Sequence, residues 1–122
     1  MDDTMTAVLM VAIGGAIGAV ARYSVYRLVD TEFPWATFVV NIIGCTLAAF
    51  LMFRFGADMS YPLRSLIFVG MFGAFSTMST FTTDVVNLLA SQEYVLALWD
   101  FILNCVVCLG GAVLGRWLSL IL

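Results

Sequence analysis

Residues 70–81 read Gly70-Met71-Phe72-Gly73-Ala74-Phe75-Ser76-Thr77-Met78-Ser79-Thr80-Phe81. They lie inside one apolar segment, Leu63 to Leu89, and a bilayer is crossed by roughly 20 apolar residues. Yet the run carries Gly70, Gly73, Ser76, Thr77, Ser79 and Thr80, which a continuous membrane helix does not need. Lipid offers no partner to a free backbone group, so a broken helix survives only where protein or a cavity surrounds the break. One reading is a helix that unwinds near Gly73–Thr77 and turns carbonyls, amides and hydroxyls toward an ion. The other is an unbroken helix whose small residues let a neighbour pack closely. Spacing alone leaves both open.

Outside this run the class is clear. Of 122 residues, 63% are hydrophobic and 11% charged, more apolar surface than a soluble domain of this size can bury. The expected fold is an all-α integral membrane protein of one domain, residues 1–122. Its four spans cover about 5–29, 35–55, 63–89 and 94–122, the third broken near Gly73–Thr77. All five basic residues are arginine and there is no histidine, so acid–base chemistry and metal ligation by imidazole are excluded. A net charge of −3 with scattered arginines leaves no electrostatic footprint for nucleic acid. The N-terminus is acidic and no small-residue cleavage site precedes Arg22, so the first segment is expected to stay in the mature protein. Cys105 and Cys108 form a C-x-x-C inside an apolar segment, with no second pair. They read as buried small hydrophobes rather than a metal or redox site. No nucleophile–base pair appears, which argues against an enzyme.

The segments carry further marks. Gly14, Gly15 and Gly18 give the first a small-residue face, and Arg22, Tyr23, Tyr26 and Arg27 close it at the interface. Asn41 lies a turn or two inside the second; a lone membrane asparagine bonds a neighbouring helix or lines a path. Thr82, Thr83, Asp84 and Asn87 continue a polar stripe along the third. Asp100 and Asn104, four apart, share a face of the fourth. Four spans put both termini on one side, with Arg54, Arg64 and Arg116 there and Arg22 and Arg27 opposite. Orientation follows such arginine excess, and three against two is hardly a bias. A chain so balanced can insert both ways, and opposite copies can pair.

The opening run resembles the signature of the small fluoride channels known as Fluc or CrcB, roughly G-x-C-G-G-[FL]-[ST]-T-F-S-T-F. Gly70, Gly73, Phe75, Ser76, Thr77, Ser79, Thr80 and Phe81 match it. Phe72, Ala74 and Met78 depart from the Cys, Gly and Phe usual there. Gly14, Gly15, Gly18, Arg22, Thr37, Val40, Asn41 and Gly115 extend the likeness along the chain. The resemblance implies a passive fluoride channel in the cell membrane, working as an antiparallel, dual-topology dimer of two copies or of this chain with a paralogous subunit. It places Asn41 in the ion pathway, and Met78 and Phe81 where the family has two phenylalanines. Ser79, Thr80 and Thr83 offer hydroxyls to the same path. A ring has a positive edge that can face an anion; methionine has none, so selectivity or rate is expected to differ, or a partner to supply the full pair. The resemblance also implies a structural Na+ at the dimer centre, held by backbone carbonyls of Gly73 and Ser76. Arg22 and Asp84 are expected near a vestibule, as a possible pair. A small multidrug transporter, also four-spanning, needs a glutamate in its first segment, and Met5–Val29 has no acidic residue.

Overall fold

Four apolar runs become four helical spans, at Thr4–Leu28, Trp35–Asp58, Tyr61–Ala90 and Tyr94–Ile121. The structure is a computed structural model and describes residues 3–122. Helix α1 is Asp3–Leu28 and α2 is Trp35–Phe55, followed by a short 3₁₀ turn at Gly56–Asp58. The third span is two helices, α3 (residues 61–75) and α4 (Met78–Ala90), and the fourth is α5 (Tyr94–Ile121). Local sequence explains the ends. Pro34 precedes α2, where its lost N–H is no handicap. Ser60 caps α3 by accepting from Leu63 N at 3.4 Å, with Pro62 in the first turn. Gln92, at φ 61°, turns the chain between α4 and α5.

The break expected in the third span is present, and it is two residues long. Ser76 (φ −84°, ψ 157°) and Thr77 (φ −149°, ψ 124°) are extended. The chain recovers at once, because Thr77 is itself a good N-cap: its Oγ1 accepts from Thr80 N at 3.2 Å.

Two close seams organise the spans. Helix α1 lies along α3, and α2 lies along α5. In the first seam a Cβ on Gly14 would strike the Leu66 carbonyl, and one on Gly18 the Met71 carbonyl. From the other side, a Cβ on Gly70 would lie 2.8 Å from the Val11 carbonyl oxygen. In the second seam a Cβ on Gly115 would strike the Thr46 carbonyl, and one on Gly111 would sit 2.6 Å from Ile42 Cδ1. Backbone meets backbone here, as membrane helices require when no hydrophobic force draws them together. Gly15, grouped with Gly14 and Gly18 by spacing, faces open space.

The buried set is unusually polar. Thr37, Asn41, Ser65, Asp100 and Ser119 are buried beside Ala7, Val40, Phe81, Leu88, Ala97 and Cys108. Large apolar side chains such as Leu28, Val95, Leu109 and Leu120 point outward, as hydrocarbon demands. Two stretches, Ser65–Phe72 in α3 and Ile102–Val107 in α5, wind as wider π-helical turns. Such turns gather at functional sites, and each of these lies near the break.

Candidate functional site

A freed amide at the break has to find a partner, and Asn41 supplies it. In an unbroken helix Thr77 N–H would donate to the Gly73 carbonyl. It donates instead to Asn41 Oδ1 at 2.8 Å. The amide of Thr80, which would otherwise serve the Ser76 carbonyl, donates to Thr77 Oγ1. The break therefore strips the usual helical partners from both carbonyls singled out in the sequence, Gly73 and Ser76. Ser76 N–H still donates to the Phe72 carbonyl at 3.2 Å, and its hydroxyl to the same oxygen at 3.0 Å. Unpaired carbonyl oxygens are the donor set a hard cation prefers.

Asn41 does more than cap the break. Its Nδ2 donates to the Thr77 carbonyl at 3.2 Å and to Asn104 Oδ1 at 2.7 Å. Asn104 Nδ2 in turn donates to Asp100 Oδ1 at 2.8 Å and to the Asp100 carbonyl at 3.0 Å. One polar chain thus runs from the broken third span through α2 to α5. Asn41 itself is buried, so each of its polar atoms must be met from within.

A cavity of about 360 Å³ opens beside this chain. Asn41, Gly73, Ser76, Met78 and Phe81 all line it, with Thr77, Cys45, Asn104 and Cys105. Five residues spread over forty positions of sequence are brought to one wall. Phe81 is buried and its ring lies 6.5 Å from that of Phe101, tilted by 42°. Met78 is 71% exposed, so its thioether projects from the surface of the chain.

Ser79, Thr80 and Thr83 do not line that cavity. They form a hydroxyl cluster on α4. Thr77 Oγ1 lies 3.3 Å from both Ser79 Oγ and Thr80 Oγ1, and Thr83 Oγ1 donates to the Thr80 carbonyl at 3.0 Å. Ser79 and Thr83 are exposed on the outer face.

Asp84 stands a turn further on, in a separate recess of about 450 Å³ shared with Glu32, Asn87 and Glu93. Thr37 Oγ1 donates to Asp84 Oδ2 at 2.7 Å, and Tyr26 Oη lies 3.2 Å from the same hydroxyl. The expected pairing with Arg22 is not made: among the described residues Arg22 forms no ion pair with Asp84. The reason is topological. Arg22 belongs to α1, which packs along α3, whereas Asp84 is on α4, which packs on α5.

Sequence reasoning passed over Asn104 as a site residue, along with Cys45, Cys105 and Phe101. Only Asn104 left a usable signal, as a second asparagine inside an apolar span and four residues from a carboxylate.

Comparison with known proteins gives the chain a family. Residues 9–116 match the family described as CrcB-like protein, Camphor Resistance (CrcB). A protein of Magnetococcus marinus named fluoride-specific ion channel FluC is 40% identical over 111 residues, 86% of this chain and 90% of that protein. One of the same name from Phocaeicola vulgatus is 38% identical over 122 residues, 94% of this chain and 99% of its own length. A third, from Methanococcus aeolicus, is 35% identical over 119 residues, covering 95% and 97%. A multi-pass membrane chain with a broken third span, matched nearly end to end, belongs to the CrcB family.

Proposed function

We propose that this chain conducts fluoride out of the cell, down its electrochemical gradient, and so lowers fluoride toxicity. The observation that carries the reading is the single cavity lined by Asn41, Met78 and Phe81 beside the break. Fluoride is small and strongly hydrated, so a passage has to replace its water with donors. Asn41 stands at the wall with its two N–H groups on the Thr77 carbonyl and Asn104 Oδ1, one of which a passing anion would replace, and Phe81 brings a ring whose edge is positive. Ser79, Thr80 and Thr83 lie off that cavity and would extend a hydroxyl track along α4, where Ser79 and Thr83 are exposed, Thr83 by releasing its bond to the Thr80 carbonyl. Arg22 and Asp84 would serve as charges of the outer vestibule, Asp84 held by Thr37. No covalent step is involved, so the chain is a conduit rather than a catalyst.

The exposed position of Met78 and the outward hydroxyls support a pore completed by a second chain. The near-equal arginine count on the two sides supports a second copy in the antiparallel orientation. Na+ fits the carbonyls of Gly73 and Ser76, whose helical partners are withdrawn. A fixed cation bound there would supply positive potential that eases an anion into low dielectric.

A second reading rests on Met78 alone: this chain pairs with a paralogous subunit that supplies the full aromatic pair. Purified chain in fluoride-loaded liposomes, read with a fluoride electrode, tests both. Electrogenic efflux from the chain by itself supports the homodimer. Silence, followed by efflux on adding the paralogue, supports the heterodimer, and silence in both settings rejects fluoride conduction.

A further inference from the structure

Asp100 has no part in the pathway just described, yet it is wholly buried, at 0% exposure. A carboxyl inside a membrane span is costly to bury, and such groups face a partner or a function. Its Oδ1 accepts from Asn104 Nδ2, while Oδ2 meets no hydrogen-bond donor. Asn104 commits its nitrogen to residue 100 twice, to Oδ1 and to the main-chain carbonyl. That leaves Asn104 Oδ1 to face Asn41 Nδ2 at 2.7 Å.

A side-chain amide has one donating end and one accepting end, so this chain of bonds has a direction. Reversing Asn104 would set its N–H groups against those of Asn41. Reversing Asn41 would set its oxygen against Asn104 Oδ1 and its N–H against Thr77 N–H.

We infer that Asp100 and Asn104 are positioning residues of the ion pathway: the accepting end at Asp100 fixes the sense of Asn104, which holds the nitrogen of Asn41 toward α5 and its oxygen on the freed amide of Thr77. The inference rests on the fluoride-channel reading for its consequence, but not for its geometry. It explains why a buried carboxyl is kept beside an anion path, where charge alone would hinder. Asp100 acts through two amides and touches no ion.

The test uses the full chain in lipid at neutral pH and reads two quantities, fluoride efflux and hydrogen exchange at the Thr77 amide. Asn104→Leu removes the acceptor for Asn41, and Asn104→Asp sets two carboxyls face to face. Each is expected to lower efflux about tenfold and to speed Thr77 exchange by a similar factor, the scale of one lost buried hydrogen bond. The exchanged pair Asp100→Asn with Asn104→Asp supplies a donor at 100 and keeps an acceptor at 104 for Asn41, so Thr77 exchange returns toward the parent value, while efflux stays low because the carboxylate now lines the cavity. If the parent is silent but Thr77 protection follows this pattern, the channel reading falls and the positioning stands. Unchanged Thr77 protection in Asn104→Leu overturns the inference. So does an exchanged pair that fails to fold, or that folds with Thr77 still unprotected.

Discussion

The glycine seam between α1 and α3 and the polar junction at Ser76–Thr77 lie in neighbouring parts of the molecule and use opposite physics. In the seam, Gly14, Gly18 and Gly70 remove side chains so that backbones touch. At these three glycines stability comes from the closeness of backbone to backbone. At the junction the backbone opens, and Asn41 fills its hydrogen bonds from another helix. The difference teaches a division of labour. The seam holds α3 rigid up to the break, and the junction spends its polar groups on a cavity rather than on packing. Perturbing the seam should cost stability and leave selectivity alone; perturbing the junction should cost flux as well as stability.

The largest expected effect is at the junction. Asn41→Asp keeps the acceptor for Thr77 N–H but sets an acceptor-only carboxylate against the Thr77 carbonyl and Asn104 Oδ1. Fluoride efflux from liposomes should fall about a hundredfold or more, the scale on which an uncompensated buried charge acts. Parent-like efflux would remove Asn41 from the pathway.

Phe81→Ala comes next and bridges the two regimes, since Phe81 is both buried and cavity-lining. It should destabilise by about 3 kcal/mol and also lose flux. A stable variant with full flux would leave the ring without a role.

Gly14→Ala and Gly18→Ala should each destabilise by about 1–3 kcal/mol, because the added methyl meets a backbone carbonyl that cannot turn aside. Thermal unfolding in detergent measures it. Gly15→Ala is the internal control and should leave the unfolding temperature unmoved, since open space receives its methyl. Equal losses at Gly14 and Gly15 would dissolve the seam as described.

The smallest effect separates Met78 from Phe81. Met78 is exposed, so Met78→Phe should change stability by less than about 1 kcal/mol. In a homodimeric channel it should preserve or raise fluoride flux. Reduced flux from the well-folded variant would show that methionine is required where the family has an aromatic ring.

The spans, their order and the break were legible in the chain. A run of glycine, serine and threonine inside an apolar segment conflicts with a plain membrane helix, and that conflict is local. Thr77 could be read as a start signal for the same reason, since an N-cap needs only its own hydroxyl and an amide three residues on. The site was legible in part: Asn41, Gly73, Ser76, Met78 and Phe81 do meet at one cavity. Ser79, Thr80 and Thr83, which share their helix, do not line it.

Other features were decided only when helices met. The sequence by itself determined where apolar length suffices to cross a bilayer and where the backbone gives way, because hydropathy and capping act within a few residues. It could not say that Gly15 is idle while Gly14 is essential to a seam, since both look alike until α3 lies against one of them. Nor could it choose Thr37 over Arg22 as the partner of Asp84, or join Asn41 to Asn104 across 63 positions. Those pairings depend on which helix faces which, and the rotation of a helix about its axis is set by its neighbours' backbones rather than by its own residues.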